Sequence, residues 1–375
     1  MIKQYLKKKF KNISYGVFIK IHGAIKDSIK SSKDNRIKIK DIKIKKNLNY
    51  KVYTIFGGRL YTDRIQDTAV ILDNKVIEGP SIQLRKGSGA HIYNSKVKNN
   101  IVFTKGTPRK LRNLNGSVLS LLTGGAGNNN YWHWLFDVLP RFGLCEKSKK
   151  LKHIDYFLLP SISKNFQRES LDCLNISETK RISSEKFRHI KAKQLIVTDH
   201  PVMISGNATR DIQNVPRWIC KWLKKNLLNK SITTGTKTKN KIYIDRNIEN
   251  SKYQPQRRII NEEEIKEYLK KNNFIIAKLH QMNFVDQMKL FYNAKCVVGL
   301  HGGGFGNVVF CKPKTKIVEL KNISSANAIK NLSLKNNLNY ISIAAKGKKI
   351  YDFKYPNQQG SIYIPIKRIK KAIEK

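Results

Sequence analysis

A chain of 375 residues exceeds the roughly 250 at which a single hydrophobic core stops growing, so two domains are expected. A hydrophobic fraction of 40%, with 16 Tyr, 15 Phe and 4 Trp, excludes global disorder, and no apolar run approaches the roughly 18 residues a spanning helix needs. Lys and Arg number 74 against 26 Asp and Glu; the net charge of +48 either draws polyanions or reflects a lysine-rich surface without a partner.

Residues 1–50 hold 15 Lys or Arg and 3 Asp or Glu, interleaved with Ile, Phe and Tyr, a pattern suited to an anionic membrane or another acidic partner. No clean apolar stretch follows the opening lysines, so no signal peptide is expected and the reading is cytoplasmic, peripheral on the inner face of the cell membrane. Residues 36–45 alternate apolar and charged with one slip at Asp41, the period of a strand with one wet face. Strand-like runs at 50–56, 69–72 and 101–103 complete a β-rich opening. From residue 117 the pattern becomes strand 118–123, glycine turn 124–127 and helix 128–139. It continues with strand 154–159, helix 166–174, strand 194–197 and helix 215–228, which predicts a parallel sheet covered by helices. Residues 230–240, rich in Thr, Lys and Gly, read as a linker.

A second alternating series follows: strand 241–245, helix 261–271 capped by Asn261 with Glu264, strand 274–278, helix 284–293 and strand 296–300. After a glycine turn and a short helix come strand 316–320, helix 326–334 and strand 340–343. Residues 365–375 form a basic amphipathic helix, expected to rest on the membrane together with the first 50 residues. The expected division is a basic extension 1–50, a domain 51–230, a linker 231–240, a domain 241–345 and a tail 346–375. Five widely spaced cysteines, Cys145, Cys173, Cys220, Cys296 and Cys311, contain no C-x-x-C pair and argue against a disulfide frame or zinc knuckle.

Three groupings carry chemistry. Strand 296–300 runs into His301, Gly302, Gly303, Gly304 and, after one turn, Asn307, so backbone amides and a helix start can meet an anion; the alternative is a packing turn. Glu319 ends the next strand, where an acid accepts ribose hydroxyls or faces solvent. Arg246, Arg257 and Arg258 fall near the carboxyl ends of the strands, where guanidinium forks suit phosphate, although in so basic a chain each could be an ordinary surface group. In the third grouping, residues 128–141, His133 and Asp137 are spaced i and i+4 and project together from an otherwise apolar helix, bordered by Trp132 and Phe136. The pair reads either as a base oriented for proton transfer or as a buried anchor, and either member could be the base. Asn130 belongs to the same stretch; Pro140 is expected to end or kink the helix and to set Arg141 at the rim. The remaining histidines, His22, His91, His153, His189, His200 and His280, read as structural or surface residues. Neither a Ser-His-Asp elbow nor a D-x-D motif occurs.

The blocks Asn-Tyr-Trp-His-Trp-Leu-Phe-Asp-Val-Leu-Pro-Arg at 130–141, Tyr-Ile-Asp-Arg at 243–246 with Arg-Arg-Ile-Ile-Asn-Glu at 257–262, Phe-Val-Asp-Gln-Met-Lys-Leu-Phe-Tyr-Asn-Ala-Lys-Cys-Val-Val-Gly-Leu-His-Gly-Gly-Gly-Phe-Gly-Asn at 284–307 and Ile-Val-Glu-Leu at 317–320 resemble, in order and spacing, glycosyltransferase family 61. The resemblance covers about residues 50–345. It implies an α/β fold of GT-B type, with two facing Rossmann-like domains behind the β-rich extension. It implies inverting glycosyl transfer without a metal or cofactor, from a nucleotide sugar, expected to be a UDP-sugar, to a glycan or lipid-linked oligosaccharide in surface polysaccharide synthesis. Carried over, Arg246, Arg257, Arg258, His301, Gly302, Gly303, Gly304, Asn307 and Glu319 bind the donor. His133 and Asp137 are catalytic, and Asn130, Trp132 and Arg141 lie on the acceptor side. Relatives often have alanine at the position of Gly303 and glutamate at that of Asp137. No specific nucleic acid is expected, since no nucleic-acid module is recognisable; the alternatives are a basic binder of nucleic acid or acidic polymers and an inactive glycan-binding relative.

Overall fold

The structure is a computed structural model that describes residues 2–64, 67–86, 91–93, 97–122, 129–229, 232, 240–246, 257–347 and 360–374. The described residues form a mixed α/β arrangement with two sheets, divided into the units Met1–Ile212 and Gln213–Lys375. The glycine turn at 124–127 and the expected linker, apart from Ile232 and Asn240, lie outside the described residues.

In the first unit, strand His189–Thr198 runs parallel to Arg112–Ser120, placing Leu195 beside Val118 and Val197 beside Ser120. Tyr156–Leu159 and Arg181–Ser183 extend this parallel part. His189–Thr198 also pairs antiparallel with Leu48–Phe56 and Arg59–Arg64. The expected parallel sheet therefore covers four strands of a twelve-stranded mixed sheet. The β-rich opening belongs to the same sheet, because Ile37–Lys45 pairs with Leu48–Phe56 and buries Ile37 and Ile42 on either side of the slip at Asp41. Residues 101–103, expected as a strand, form instead a 3-10 turn capped by Asn100, whose Oδ1 accepts from the Val102 amide at 3.1 Å.

Strand Asp67–Leu72 is buried on both faces, which explains its unbroken apolar run. Val70 and Leu72 join a core with Ile55, Leu60 and Leu195, while Ala69 and Ile71 face a second core with Tyr61, Val76 and Phe18. Helix Ile2–His22, absent from the sequence expectations, supplies Phe18 to this second core. The Phe18 ring lies 5.3 Å from Tyr61, and the Tyr15 hydroxyl donates to the Phe103 carbonyl at 2.7 Å.

Two buried histidines in this unit make its stability acid-sensitive. Burial, then the neighbouring charges of His22 and Arg59, pushes His189 down to about 3; burial likewise pushes His200 down to about 3, against the pull of Asp137. Unfolded histidine titrates near 6.5, so the unfolded chain binds more protons between those values. This contribution to stability is present above pH ~6.5 and is lost as pH falls below it, at up to about 1.4 kcal/mol per pH unit for each ring. Urea unfolding of this unit should weaken from pH 7 to pH 5.5 by roughly 1 to 3 kcal/mol, and His189→Phe should remove about half of that slope. An unchanged slope in the variant would refute the assignment.

The second unit is built on five parallel strands in the order Phe274–Lys278, Asn240–Asp245, Ala294–Leu300, Lys316–Asn322 and Asn339–Ala345. By chain position this is 2-1-3-4-5, a doubly wound order that reverses between the first and third strands. Tyr243, Val298, Leu300, Val318 and Ile343 share one core with Ile265 and Leu269 of helix Glu262–Lys271 and Ile369 and Ala372 of helix Ile366–Glu374. Ile242, Ile244, Val297 and Ile317 alternate with them and are equally buried. Asn261 holds the N-cap position of Glu262–Lys271 but makes no cap bond with its side chain, contrary to expectation. Its Oδ1 accepts from the Ile364 amide and its Nδ2 donates to the Ile364 carbonyl and to Glu264.

Candidate active site

In the first unit, chemistry collects at the carboxyl ends of two adjacent parallel strands. Arg112–Ser120 leads, through residues 121–130, into the helical stretch that begins at Tyr131. Asn130 caps it, its Oδ1 accepting from the Trp132 amide at 2.9 Å. After Tyr131–His133 the chain widens into a π-helical turn, Trp134–Val138, closed by the Leu139 amide donating to the Trp134 carbonyl at 3.1 Å. Such turns are rare and concentrate at functional sites. Pro140 explains the position of this one: it has no N–H to return to Phe136, so an α-helical ladder cannot run through it intact. The chain restarts as Pro140–Lys147 with the proline at the start, where the missing donor costs nothing. Pro140 thus opens a helix, and Arg141, expected at the rim, is fully buried. Its Nε donates to the Asp137 carbonyl at 3.2 Å and one terminal nitrogen to the Thr198 carbonyl at 3.0 Å.

His133 Nδ1 lies 2.6 Å from Asp137 Oδ2. The His133 side chain is 13% exposed and that of Asp137 2%. Burial alone would raise the Asp137 pKa; the charge and hydrogen bond of His133, then His200 and Arg141, outweigh it and hold the carboxyl below its usual range. In a ring with one proton, an Nδ1–H would donate to this carboxylate and leave the lone pair on Nε2. Asp137 Oδ1 is buried without a hydrogen-bond partner among the described residues. Trp132 packs on Phe136 with ring centres 4.6 Å apart, and Trp134 Nε1 donates to Ser170 Oγ at 2.8 Å, which fixes the turn from both sides.

His200, read as a structural or surface residue, belongs to this cluster. It follows the end of His189–Thr198, and its Nδ1 accepts from the Val202 and Met203 amides at 3.2 and 3.0 Å. In the neutral ring the proton must then sit on Nε2, which faces Asp137 Oδ2 at 3.9 Å. The sequence signal was its place one residue beyond a strand end, but 63 residues separate it from Asp137 and only strand register brings the two together.

In the second unit, Arg246 follows strand Asn240–Asp245 and His301 follows Ala294–Leu300, on either side of the point where strand order reverses. The Arg246 guanidinium donates to the His301 carbonyl at 2.8 Å and that of Arg257 to the same carbonyl at 3.2 Å. Burial, then the neighbouring Arg246, pushes Arg257 down to about 10, and its Nε is buried without a partner among the described residues. Two guanidiniums on one neutral carbonyl form an electropositive spot. Arg258 is exposed, and its carbonyl accepts from the Ile362 amide.

Gly302 precedes a 3-10 helix, Gly303–Phe310, whose first amides have no acceptor within the helix. A Cβ on Gly302 would lie 2.9 Å from Arg246 Cζ, so the glycine makes room for the guanidinium. His301 Nδ1 bonds Glu319 Oε1, and Tyr340 donates to Glu319 Oε2; Glu319 is wholly buried between them. Burial lowers the His301 pKa, against the pull of Glu319. Asn307, also fully buried, donates to Gln287 Oε1 at 2.9 Å and ties the 3-10 helix to helix Phe284–Tyr292. In the sequence Tyr340 stands in no motif, and Gln287 lies in the block 284–307 without a role of its own.

The whole is an α/β protein with a histidine–carboxylate pair in one unit and a basic glycine turn at the switch point of the other. A family model described as Glycosyltransferase 61 matches residues 131–318, half of the chain, from two residues before His133 to one before Glu319. The protein belongs to the glycosyltransferase 61 family, and that membership implies glycosyl transfer. A comparison with curated proteins finds no match.

Proposed function

We propose that the protein is an inverting glycosyltransferase of GT-B type that moves a sugar from a nucleotide sugar, a UDP-sugar as the first choice, to a hydroxyl of a glycan or lipid-linked acceptor in surface polysaccharide synthesis. The observation that carries this reading is the convergence of Arg246 and Arg257 on the glycine turn at the switch point, where open α/β sheets take their ligands. The guanidiniums and the amides of Gly303 and Gly304 would hold the diphosphate and supply the positive charge its departure calls for, without a metal. Glu319 acts at one remove, holding His301.

In the proposed reaction His133 Nε2 takes the proton of the acceptor hydroxyl. The freed oxygen bonds to the anomeric carbon from the face opposite the diphosphate, and the bond from that carbon to the phosphate oxygen breaks with its electron pair leaving on the diphosphate. Asp137, buried and committed through Oδ2, orients the ring and balances the imidazolium. Asn130 and Trp132, at the start of the same helical stretch, would line the acceptor's approach.

A panel of nucleotide sugars, read by thermal shift and by mass spectrometry with a glycan acceptor mixture, tests the reading. One donor should raise the melting temperature and yield a product heavier by one sugar with inverted anomeric configuration. Stabilisation by no nucleotide, with salt-sensitive binding of nucleic acid instead, would overturn it. Donor binding without transfer or donor hydrolysis would mark an inactive glycan-binding relative.

A further inference from the structure

We infer that helix Ile2–His22 docks the first unit onto an anionic phospholipid surface, lying in the plane of the interface. One side of this helix is spent in the core: Phe18 is fully buried, with Tyr15 and Ile19 packed beside it. A second apolar stripe has no partner among the described residues. Leu6, Phe10, Ile13, Val17 and Ile21, spaced by four, three, four and four, fall within an arc of about 80° at 100° per residue. They are 57%, 71%, 59%, 40% and 61% exposed, although such residues in a helix of this length normally face a core.

The charge around the stripe selects the occupant. Lys9 and Lys20, both exposed, run along one edge and exposed Lys11 lies beyond the other. Between Ile2 and His22 the sequence has six lysines and no acidic residue. Two copies of this helix laid face to face would bring together only positive charge, which disfavours a second chain as the cover. An anionic bilayer satisfies both features: the apolar side chains enter the acyl boundary and the lysines meet lipid phosphates, each contributing about 1 kcal/mol near the surface. Among the described residues no helix is long and apolar enough to cross a membrane, so this helix lies on the surface instead. Helix Ile366–Glu374, the other basic amphipathic segment, does not offer a matching face: Ile369 and Ala372 are buried, and Ile366 and Ile373 pack on the core of the second unit. The inference stands apart from the transferase reading, since it concerns lipid binding alone.

Sedimentation of the full chain with vesicles of phosphatidylcholine, alone or mixed with phosphatidylglycerol, tests it. The chain should pellet with the mixed vesicles and not with the neutral ones. Phe10→Ser with Ile13→Ser should weaken this at least about tenfold, because two large apolar side chains no longer enter the bilayer. Lys9→Glu with Lys20→Glu should weaken it comparably and reduce its salt dependence. Both pairs are exposed, so an unchanged melting temperature confirms that the fold is retained. Equal pelleting with the two vesicle types, wild-type binding by the Phe10/Ile13 variant, or a lipid-free dimer by light scattering that this variant abolishes would each overturn the inference.

Discussion

His133→Ala should lower kcat by about a thousandfold while leaving the donor KM within roughly twofold. A positioned general base typically contributes 10²- to 10⁴-fold, and His133 makes none of the contacts proposed to hold the donor diphosphate. Asp137→Asn should cost almost as much, although it removes no atom that meets the acceptor. Its Oδ2 is the acceptor for His133 Nδ1 at 2.6 Å, and an amide presented there would either donate to that nitrogen or lose the charge that steadies the imidazolium. The defect in both variants should therefore fall on kcat, with the melting temperature recorded because the aspartate is buried among Arg141, His200 and the π turn. Should either variant keep its kcat and lose only donor affinity, the pair would not be the proton acceptor.

The pairing of His133 with Asp137 was legible because an i, i+4 spacing brings side chains together in an α-helix and still does so across the wider π turn. The turn itself was not legible. It depends on the missing amide of Pro140 and on Trp134 and Phe136 both finding burial, and only the second unfolds from tertiary packing. Arg141 was misjudged for a related reason: restarting the helix at Pro140 swings the next residue inward to the Thr198 carbonyl, where sequence suggested a rim. His200 reaches Asp137 through the parallel register of two strands far apart in the chain, which no local pattern encodes. In the second unit almost every strand was legible, since both faces of a doubly wound sheet are covered and its strands read as short apolar runs. The first unit was harder, because its antiparallel strands attach to the parallel ones by pairings that hydrophobic pattern does not specify. Helix Ile2–His22 was missed because it carries two apolar stripes, one around Phe18 and one from Leu6 to Ile21, so that no single amphipathic period stands out between the lysines.

Gly302→Ala should raise the donor KM about tenfold, and Arg246→Ala by roughly ten- to a hundredfold, the range expected when a charge-assisted bond to phosphate is lost. The backbone at Gly302 is extended, with φ of 166°, so alanine is conformationally acceptable there and the protein should fold normally. Its Cβ, however, would stand 2.9 Å from Arg246 Cζ and 3.0 Å from a terminal nitrogen, forcing the guanidinium away from the His301 carbonyl. The two substitutions thus act on one group, and the double variant separates this account from a general disturbance of the turn. With Arg246 already removed, Gly302→Ala should change donor KM by less than about twofold. Gly304→Ala supplies the contrast: its Cβ would approach only Leu279 Cδ1 at 3.1 Å and Ile244 Cγ2 at 3.4 Å, apolar neighbours that cannot transmit to the arginine. Isothermal titration with the donor nucleotide checks all four proteins; full additivity of Gly302→Ala and Arg246→Ala would show that the glycine serves something other than the seat of that guanidinium.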